Sequence, residues 1–471
     1  MKNIRKYIQT AVWFIAVSPC LPVCGQEDLL REFDAFVNRE NKTFDNRIRQ
    51  MNREFADYLE KEWVNFPTYI NQPPSVDPDT AFVKQAETTI PPVKNQKEER
   101  PIEDTEDLRT GTGHLTIPFF GMSLPVPFSN SFIIPVNNSG ETAVSNAWRK
   151  ACDIDYTLLL TSLRQYKKDL RLNDWGFIQL VRQSAEAIYT LQNNPNGAVF
   201  LTAYLLNQSA YAAKLARIGN QLALLVEIKE IIYNVPQLKN GRQTLSILSN
   251  RPLPPTAKVF TYKESLPIAT RQTSMHIPEL PLLEGKILTK TLAHSWQNET
   301  VPVEVNKSLI DFYSTIPQTE LNVYGNSGTS EQITSLCRYL KKYIKDKSET
   351  EAVTLLLDFV QHTFDYRADV GQFGYEKVFF PDEMLYYPYN DCEDRAIFFC
   401  RLIQLLLDLP VALVDYPNHI AAAVCFNEPV EGTHFRQGGK EYTLCDPTYL
   451  NAGIGECMQQ FVGVKAKLII L

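Results

Sequence analysis

Apolar residues recur at helical spacing over residues 26–66, with charged residues between them. Alternating steps of four and three separate Leu29, Phe33, Phe36, Phe44, Ile48, Met51, Phe55, Tyr58 and Leu59. This period predicts an amphipathic helix over residues 26–68, or two helices with a break near Asn41. The apolar stripe either packs on the body of the protein or forms a coiled coil or a partner-binding face, and we favour packing.

Residues 69–112 are rich in Pro, Asp, Glu, Lys and Thr. Such a composition buries too little apolar surface to order itself, which predicts a low-complexity linker. The next region, residues 113–250, begins with short apolar runs broken by Pro, Gly and Ser and then becomes helical in pattern. The predicted helical stretches are residues 156–163, 177–189, 200–207 and 222–232. We therefore expect a mainly helical domain.

A segment of short strands is predicted over residues 251–330, where Pro252, Pro254 and Pro255 open a new pattern. Its clearest strands are at residues 259–262, 274–277 and 287–291. Helical pattern resumes at residues 332–344 and 351–364 and leads into a C-terminal domain, residues 331–471.

One internal similarity appears when the chain is shifted by 198 residues. Residues 189–226 then align with residues 387–424, so that a helix, a short connection and an apolar run coincide. Under this shift Cys392 falls on Asn194 and His419 on Gln221. Either the middle region is a degraded copy of the C-terminal domain without its reactive residues, or two helices resemble each other by chance.

The sequence Asn-Asp-Cys-Glu-Asp-Arg-Ala at residues 390–396 has the features of a helix start. Its first two residues are good N-caps, and the two acids after the cysteine would occupy the first turn. Residues 397–407 are apolar almost all round, and Pro410 enforces the end of the helix. Cys392 is therefore predicted at the N-terminal end of a buried helix.

That position favours a reactive thiol. The helix dipole and the unpaired N–H groups stabilise a thiolate and lower its pKa. The same N–H groups can receive a developing oxyanion. Asp391, Glu393 and Asp394 act in the opposite direction, because their negative charge raises the pKa of a neighbouring thiol. A cationic partner for Cys392 is therefore expected.

His419 is the candidate partner, and Asp446 is the candidate for orienting it. Three strands are predicted after the helix, at residues 411–416, 419–426 and 440–446. A turn at residues 417–418 joins the first two strands, and a polar loop at residues 427–439 joins the last two. His419 opens the second strand and Asp446 closes the third. Symmetric antiparallel pairing of these strands would place the two side chains opposite each other. A base beside an orienting carboxylate is the arrangement that activates a thiol.

These residues resemble the transglutaminase-like superfamily. The resemblance covers roughly residues 350–460 and rests on Asp-Cys-Glu-Asp-Arg-Ala, an apolar helix, Pro-Val-Ala-Leu-Val, Asn-His-Ile-Ala-Ala-Ala-Val and Tyr-Thr-Leu-Cys-Asp-Pro-Thr-Tyr. Residues 380–385 also resemble the segment that precedes the cysteine in bacterial members. The resemblance implies Cys392 as nucleophile, His419 as general base and Asp446 as orienting acid. It also implies an α+β fold with a papain-like core, in which the helix that carries the cysteine packs on an antiparallel sheet.

The chain departs from the family pattern in three places. Asn390 stands where a glycine usually precedes Asp-Cys, Ile420 replaces an aromatic residue after the histidine, and Leu-Pro-Val at residues 409–411 replaces Gly-Ile-Pro. These changes affect the oxyanion geometry and the substrate pocket. Papain-like enzymes also use a side-chain donor shortly before the cysteine, and the nearby candidates are tyrosines that are otherwise ordinary aromatic packing: Tyr386, Tyr387 and Tyr389.

Composition narrows the class of protein. The 471 residues suffice for two to four domains, and 44% hydrophobic and 21% charged residues are typical of a globular protein. The net charge of −7 provides no basic surface for nucleic acid. Residues 1–25 read as a signal peptide, with cleavage after Gly25, which predicts a periplasmic or secreted protein. The alternative is a lipoprotein anchored at Cys24 or Cys20. No transmembrane segment is expected in the mature chain.

The cysteines beyond the predicted signal number seven, and no CxxC pair is among them. We therefore expect no metal site and no cofactor. An odd number leaves at least one thiol without an internal partner. Cys445, next to Asp446, must point to the opposite face of its strand and is expected in the core or in a disulfide. Cys392 itself is either a free nucleophile or held in a disulfide with Cys400 or Cys425.

Together these features predict an exported, multi-domain thiol enzyme that acts on peptide or carboxamide bonds, with a protein or peptide as substrate. Hydrolysis and crosslinking both remain open, and we favour a cysteine peptidase or amidohydrolase because water is the default acceptor. The alternative is a catalytically silent scaffold or binding module at the cell envelope, for which the N-terminal helix offers a protein-binding face.

Overall fold

The computed structural model describes residue 43 and residues 46–61, 63–73, 112–190, 192–249, 253–254 and 257–471. The predicted signal peptide, the first part of the predicted N-terminal helix and most of the predicted linker lie outside the described residues. The fold class is α+β, as expected: helices pack against antiparallel sheets. None of the helices among these residues is long and apolar enough to cross a membrane.

The N-terminal helix packs on the body of the protein. Residues 46–59 form helix α1, in which Phe55 and Leu59 are buried. The indole N–H of Trp148 donates to Asn52 Oδ1 at 3.1 Å, and the rings of Phe55 and Trp148 lie 5.1 Å apart. The packing interpretation is therefore confirmed for this part of the helix. The chain becomes extended after it, instead of staying helical to residue 68.

The middle of the chain combines a hairpin, a group of helices and a curled sheet. Its strands are β1 (Val64–Phe66), β2 (Thr68–Ile70), β3 (Thr112–Phe119), β4 (Met122–Ser129), β5 (Ala213–Ile218), β6 (Gln221–Glu227), β7 (Pro236–Asn240), β8 (Gln243–Leu248) and β9 (Val259–Thr261). Its helices are α2 (Glu141–Cys152), α3 (Thr157–Asp169), α4 (Asp174–Thr190) and α5 (Pro195–Gln208).

Seven of these strands form one sheet in the order β1-β9-β5-β6-β8-β7-β2. Only Pro67 separates β1 from β2, although these two strands lie at opposite edges of the sheet. The sheet must therefore curl until its edges meet, because one residue spans less than about 4 Å. A small apolar core fills one side of this curled sheet, with Ala223, Leu225 and Ile247 among its members.

The prediction of a mainly helical region over residues 113–250 is wrong in its second half. Residues 222–232, predicted as helix, lie mostly in β6, and β5, β7 and β8 flank it. Apolar side chains of β6 are buried on both faces of the sheet, so the strand reads as a continuous apolar run. Periodicity alone does not distinguish such a strand from a buried helix.

The connection between the two sheets has little regular structure. The hairpin of β10 (Ile287–Thr291) and β11 (Pro302–Asn306) is followed by the short helices α6 (Lys307–Tyr313) and α7 (Leu321–Gly325). The strands predicted at residues 259–262 and 287–291 are present as β9 and β10. The one predicted at residues 274–277 is not, and only an isolated bridge at Thr273 lies beside it.

The C-terminal domain begins with helices and ends with a second antiparallel sheet. Its helices are α8 (Glu331–Ile344), α9 (Glu349–Thr363), α10 (Asp369–Gln372), α11 (Glu383–Tyr386) and α12 (Cys392–Leu407). Its strands are β12 (Asp365–Tyr366), β13 (Tyr389–Asn390), β14 (Val411–Tyr416), β15 (His419–Val424), β16 (His434–Gln437), β17 (Lys440–Cys445) and β18 (Lys467–Ile470). The sheet order is β16-β17-β15-β14-β18, and β16 lies inside the segment predicted as a polar loop.

Alternate side chains of β15 explain how α12 is held. Ile420, Ala422 and Val424 share a core with Ile397 and Leu402 of α12, whereas the intervening side chains face a second apolar cluster on the other side of the sheet. The C-terminal domain therefore contains a helix that begins with the cysteine and packs on an antiparallel sheet.

The two sheets share one strand order. The order β18-β14-β15-β17-β16 matches β9-β5-β6-β8-β7, and every one of these pairs is antiparallel. Strands β14, β15 and β16 begin 198 residues after β5, β6 and β7, and β17 begins 197 residues after β8. In each domain a buried helix precedes the first of these strands. This topology is the one expected of a degraded copy.

Candidate active site

Cys392 is the first residue of α12, as predicted from its N-cap. Asp391 before it is extended, with φ −122° and ψ −155°. The Asp394 carboxylate accepts from the N–H of Asp391 at 3.3 Å and from the N–H of Phe379 at 2.8 Å, and so ties the helix start to the loop before it. The Cys392 side chain is fully buried.

His419 opens β15 and is oriented by Asp446. Its Nε2 lies 2.8 Å from Asp446 Oδ2, and both residues are buried. The imidazole stacks on the ring of Phe461 at 5.1 Å and 7°, and the ring of Tyr416 lies 6.4 Å away on the strand before it. The structure therefore brings His419 and Asp446 together as predicted, and an aromatic ring that the sequence did not indicate covers the pair.

Asp446 uses its two oxygens for different purposes. Oδ1 accepts from the backbone N–H groups of Thr448 at 2.9 Å and Tyr449 at 3.3 Å, which closes the turn after β17. Oδ2 is left for the imidazole. The turn thus holds the carboxylate in place, and the carboxylate holds the histidine ring.

The predicted register of these strands is wrong by two residues. Symmetric pairing of His419 with Asp446 was expected, but Ala422 pairs with Cys445 and Val424 with Thr443. A shift of two residues keeps every side chain on its face of the sheet, whereas a shift of one would reverse them all. The contact between His419 and Asp446 therefore survives as a diagonal contact.

The side chains of Cys392 and His419 form no hydrogen bond with each other, and the start of β15 connects them through the backbone. The backbone N–H of Ile420, the residue after His419, hydrogen-bonds toward the Cys392 sulfur. The imidazole Nδ1 is buried and has no hydrogen-bond partner. With Nε2–H directed to Asp446, Nδ1 is the ring nitrogen available to accept a proton from the thiol.

The thiol of Cys392 is buried and hydrogen-bonded to the acid that follows it. Its Sγ lies 3.3 Å from Glu393 Oε2, to which it donates. Burial first, and then the charges of Glu393 and Asp391, raise the pKa of the Cys392 thiol well above its ordinary value, while the N–H of Ile420 acts in the opposite direction. The expected lowering of this pKa is therefore not found, because desolvation and two neighbouring carboxylates outweigh the helix terminus.

A cluster of acids surrounds the helix start. Asp369, Glu376, Asp391 and Glu393 each have a carboxylate oxygen within 4.8 Å of the others. Burial, and then the neighbouring acids, raise the pKa values of Asp369, Asp391 and Glu393 well above the ordinary range. Oxygen ligands at this spacing could hold a hard divalent cation. No metal site was expected from the sequence, since Asp369 and Glu376 lie far from Cys392 along the chain.

A cleft of about 250 Å³ reaches this region from the surface. Glu393 and Ile420, both of which contact Cys392, form part of its lining. Tyr233 from the middle of the chain and Lys467 from β18 contribute to its other walls. Cys392 is not among the lining residues, so the cleft reaches the neighbours of the thiol but not the sulfur itself.

The three tyrosines considered as side-chain donors have rings that pack against neighbouring side chains. The ring of Tyr387 lies 5.2 Å from that of Phe373 and 4.9 Å from that of Tyr386. The guanidinium of Arg367 lies 4.0 Å from the ring centre of Tyr389. Ordinary aromatic packing accounts for all three. Tyr366, which no sequence pattern indicated, is a fourth tyrosine near the helix start, because it pairs with Asn390 across β12 and β13.

All seven cysteines of the described residues are free thiols. Cys392 is therefore not bonded to Cys400 or Cys425. Cys445 is fully buried in the core between the sheet and α12, on the face opposite to Asp446, as alternation along the strand requires. Of the two expectations for Cys445, the core position is the one found.

Family models, curated proteins and solved structures were compared with the chain, and none of them matches it. Assignment of a function therefore depends on the geometry of the site alone.

Proposed function

We propose that the protein is an exported transglutaminase-like thiol enzyme that hydrolyses peptide or carboxamide bonds with Cys392, His419 and Asp446. The observation that carries the proposal is the buried His419–Asp446 pair, whose imidazole leaves Nδ1 unpaired beside the residue that contacts the sulfur. An imidazole that a carboxylate holds through one nitrogen, with the other nitrogen free, is the arrangement of a general base.

In the proposed reaction, Nδ1 of His419 takes the proton of the Cys392 thiol and the thiolate attacks the carbonyl carbon. The C–N bond breaks as the imidazolium returns the proton to the leaving amine, and a thioester remains. His419 then takes a proton from water, the hydroxide attacks the thioester carbonyl and the C–S bond breaks to release the acid, and the imidazolium returns the proton to the thiolate. Asp446 keeps Nε2 protonated throughout and stabilises the imidazolium.

A silent scaffold is the second candidate, and one observation favours it. The Cys392 thiol is fully buried and donates to Glu393, so the site is closed as it stands. For the enzyme, the side chains along the cleft must move to admit a substrate; for a scaffold, they never do.

A fluorescent iodoacetamide probe separates the two candidates. The enzyme predicts labelling of Cys392, located by mass spectrometry of the tryptic peptide, that falls in His419→Ala. The matched control is Gln221→Ala, at the corresponding position of the other sheet, which should leave labelling unchanged. Labelling of Cys392 at the same rate in the wild type and both variants supports the scaffold.

A further inference from the structure

The hydroxyl of Tyr366 is a buried donor without an acceptor. Tyr366 is 1% exposed, and its Oη has no hydrogen-bond partner. Leaving a hydroxyl unsatisfied in the interior destabilises a fold. Packing of the ring does not explain the hydroxyl, because phenylalanine would fill the same space.

The position of Tyr366 connects it to the candidate nucleophile. It ends β12, which pairs in parallel with β13, and Tyr366 is the direct partner of Asn390, two residues before Cys392. The guanidinium carbon of Arg395, one turn into α12, lies 5.6 Å from the centre of the tyrosine ring. Tyr366 therefore lies against the first turn of the helix that carries the sulfur.

The charged groups near the hydroxyl support this placement. Burial raises the pKa of Tyr366, and among its neighbours Cys392 has the largest effect, ahead of Asp391 and Glu393. Asn390 Nδ2 is a second buried donor without an acceptor, but its amide is already fixed by Arg395, which donates to Oδ1 at 2.7 Å.

We propose that Tyr366 is the oxyanion donor of this site: its O–H and the backbone N–H of Cys392 would bind the carbonyl oxygen as the sulfur attacks. This assignment rests on the proposed function. As the S–C bond forms, the carbonyl π electrons move to the oxygen, and the two donors stabilise that charge without transferring a proton. When the C–N bond breaks, the carbonyl re-forms and the hydroxyl is released.

Two reagents distinguish this role from a merely structural one. p-Nitrophenyl acetate acylates a thiol through a tetrahedral oxyanion, whereas iodoacetamide alkylates it by displacement of iodide and forms none. An oxyanion donor affects the first reaction alone, and removing one such donor typically lowers the rate about 10²–10³-fold. A residue that only positions the sulfur affects both reactions equally.

The experiment measures both rates for the wild type, Tyr366→Phe and Tyr156→Phe, with Cys392→Ser subtracted as background. Tyr156 is the matched control, because its hydroxyl is also buried and unpartnered but lies in the middle of the chain. We expect Tyr366→Phe to lower acylation by about 10²-fold or more while alkylation and its pH dependence stay unchanged. Neither rate should change in Tyr156→Phe, and both variants should melt at or above the wild-type temperature.

Three results would overturn the assignment. If Tyr366→Phe acylates at the wild-type rate, the hydroxyl contacts no oxyanion although the proposed function stands. Equal losses of acylation and alkylation, or a shift in the pH dependence of alkylation, assign the hydroxyl to the thiol instead. If p-nitrophenyl acetate does not acylate Cys392 in the wild type, the proposed function fails and the assignment fails with it.

Discussion

The curled sheet of the middle domain and the sheet of the C-terminal domain have the same strand order but different residues at the reactive positions. The counterpart of His419, 198 residues earlier, is Gln221, and the residue after β8 is Ser249 where Asp446 follows β17. The helices α5 and α12 start 197 residues apart, so Cys392 corresponds to Pro195 by helix position, whereas the sequence shift placed it on Asn194.

The comparison separates what the fold needs from what the chemistry needs. Leu215 and Leu413 both face the helix side of their sheets, while Ala216 and Val414 both face the opposite side. Apolar alternation along the strands is thus enough to build this sheet, and the middle domain builds it without a cysteine, histidine or aspartate at the corresponding positions. Burying His419 and Asp446 removes two polar groups from water, which the fold does not require. The following experiments test that contrast, beginning with the largest expected effect.

The most direct test exchanges His419 of the C-terminal sheet with Gln221, its counterpart in the middle sheet. His419→Gln gives the C-terminal site the residue of the other sheet, and its amide can still donate to Asp446. Without a base for the thiol, acylation of Cys392 by p-nitrophenyl acetate should fall about 10³-fold or more. The reciprocal change, Gln221→His, should leave the rate and the circular dichroism spectrum unchanged. A His419→Gln protein that acylates normally would show that the imidazole takes no part.

Asp446→Asn tests whether the carboxylate does more than close a turn. The amide keeps an oxygen for the N–H of Thr448 but puts a donor toward Nε2, which favours the wrong tautomer of His419. Acylation should therefore fall about 10²–10⁴-fold. Ser249→Asn, at the corresponding position, is the control and should have no effect. If Asp446→Asn lowers the acylation rate by less than about threefold, the aspartate only closes the turn.

Glu393→Gln should make the thiol more reactive. Glu393 raises the pKa of Cys392, and after burial it is the largest cause. Neutralising it lowers that pKa, so alkylation by iodoacetamide at pH 7.5 should accelerate, because a larger fraction of the thiol is then ionised. Glu428→Gln, an exposed acid of the same domain, is the control. An unchanged alkylation rate would mean that burial alone controls the thiol.

The acids around the helix start also make the stability of the fold depend on pH, and Glu393→Gln tests this dependence. Because the pKa values of Asp369, Asp391 and Glu393 are raised in the fold, their protonated forms stabilise it, and this contribution is complete below the ordinary carboxyl pKa of about 4. It is lost as the pH rises through the raised values; for Asp394 that pKa is about 7.

The melting temperature of Glu393→Gln should therefore exceed that of the wild type by a few degrees at pH 8, and the excess should shrink toward pH 5. Calorimetry at pH 5, 6, 7 and 8 measures the difference. Glu428→Gln should follow the wild type at every pH. An excess that grows as the pH falls would show that the cluster is not repulsive.

The smallest effect concerns the turns that precede β15 and β6. Asn418 has φ 61° and Gly219 has φ 57°, a region in which a β-carbon is strained. Asn418→Ala and Gly219→Ala should each destabilise the protein by about 1 kcal/mol, and Asn418→Gly by less. Urea denaturation measures these differences. Equal stability of all three variants would mean that the turns relax freely.

The sequence predicted more of the C-terminal site than of its surroundings. The N-cap before Cys392 and the turn before His419 are local signals, and both elements start where they were expected. The middle sheet was misread because β6 is apolar on both faces. Tyr366 and Asp369 were missed since they reach the helix start through pairing and loop packing, which no local pattern records.

Local sequence patterns thus determined which residues begin α12, open β15 and follow β17, because helix caps, turns and strand alternation act over a few residues. Burial and strand pairing decided the rest. They set a register two residues from the symmetric one, placed Phe461 on the imidazole and gathered acids from separate loops around the thiol. The state of that thiol depends on desolvation and on charges distant in sequence, so only the folded chain could reveal it.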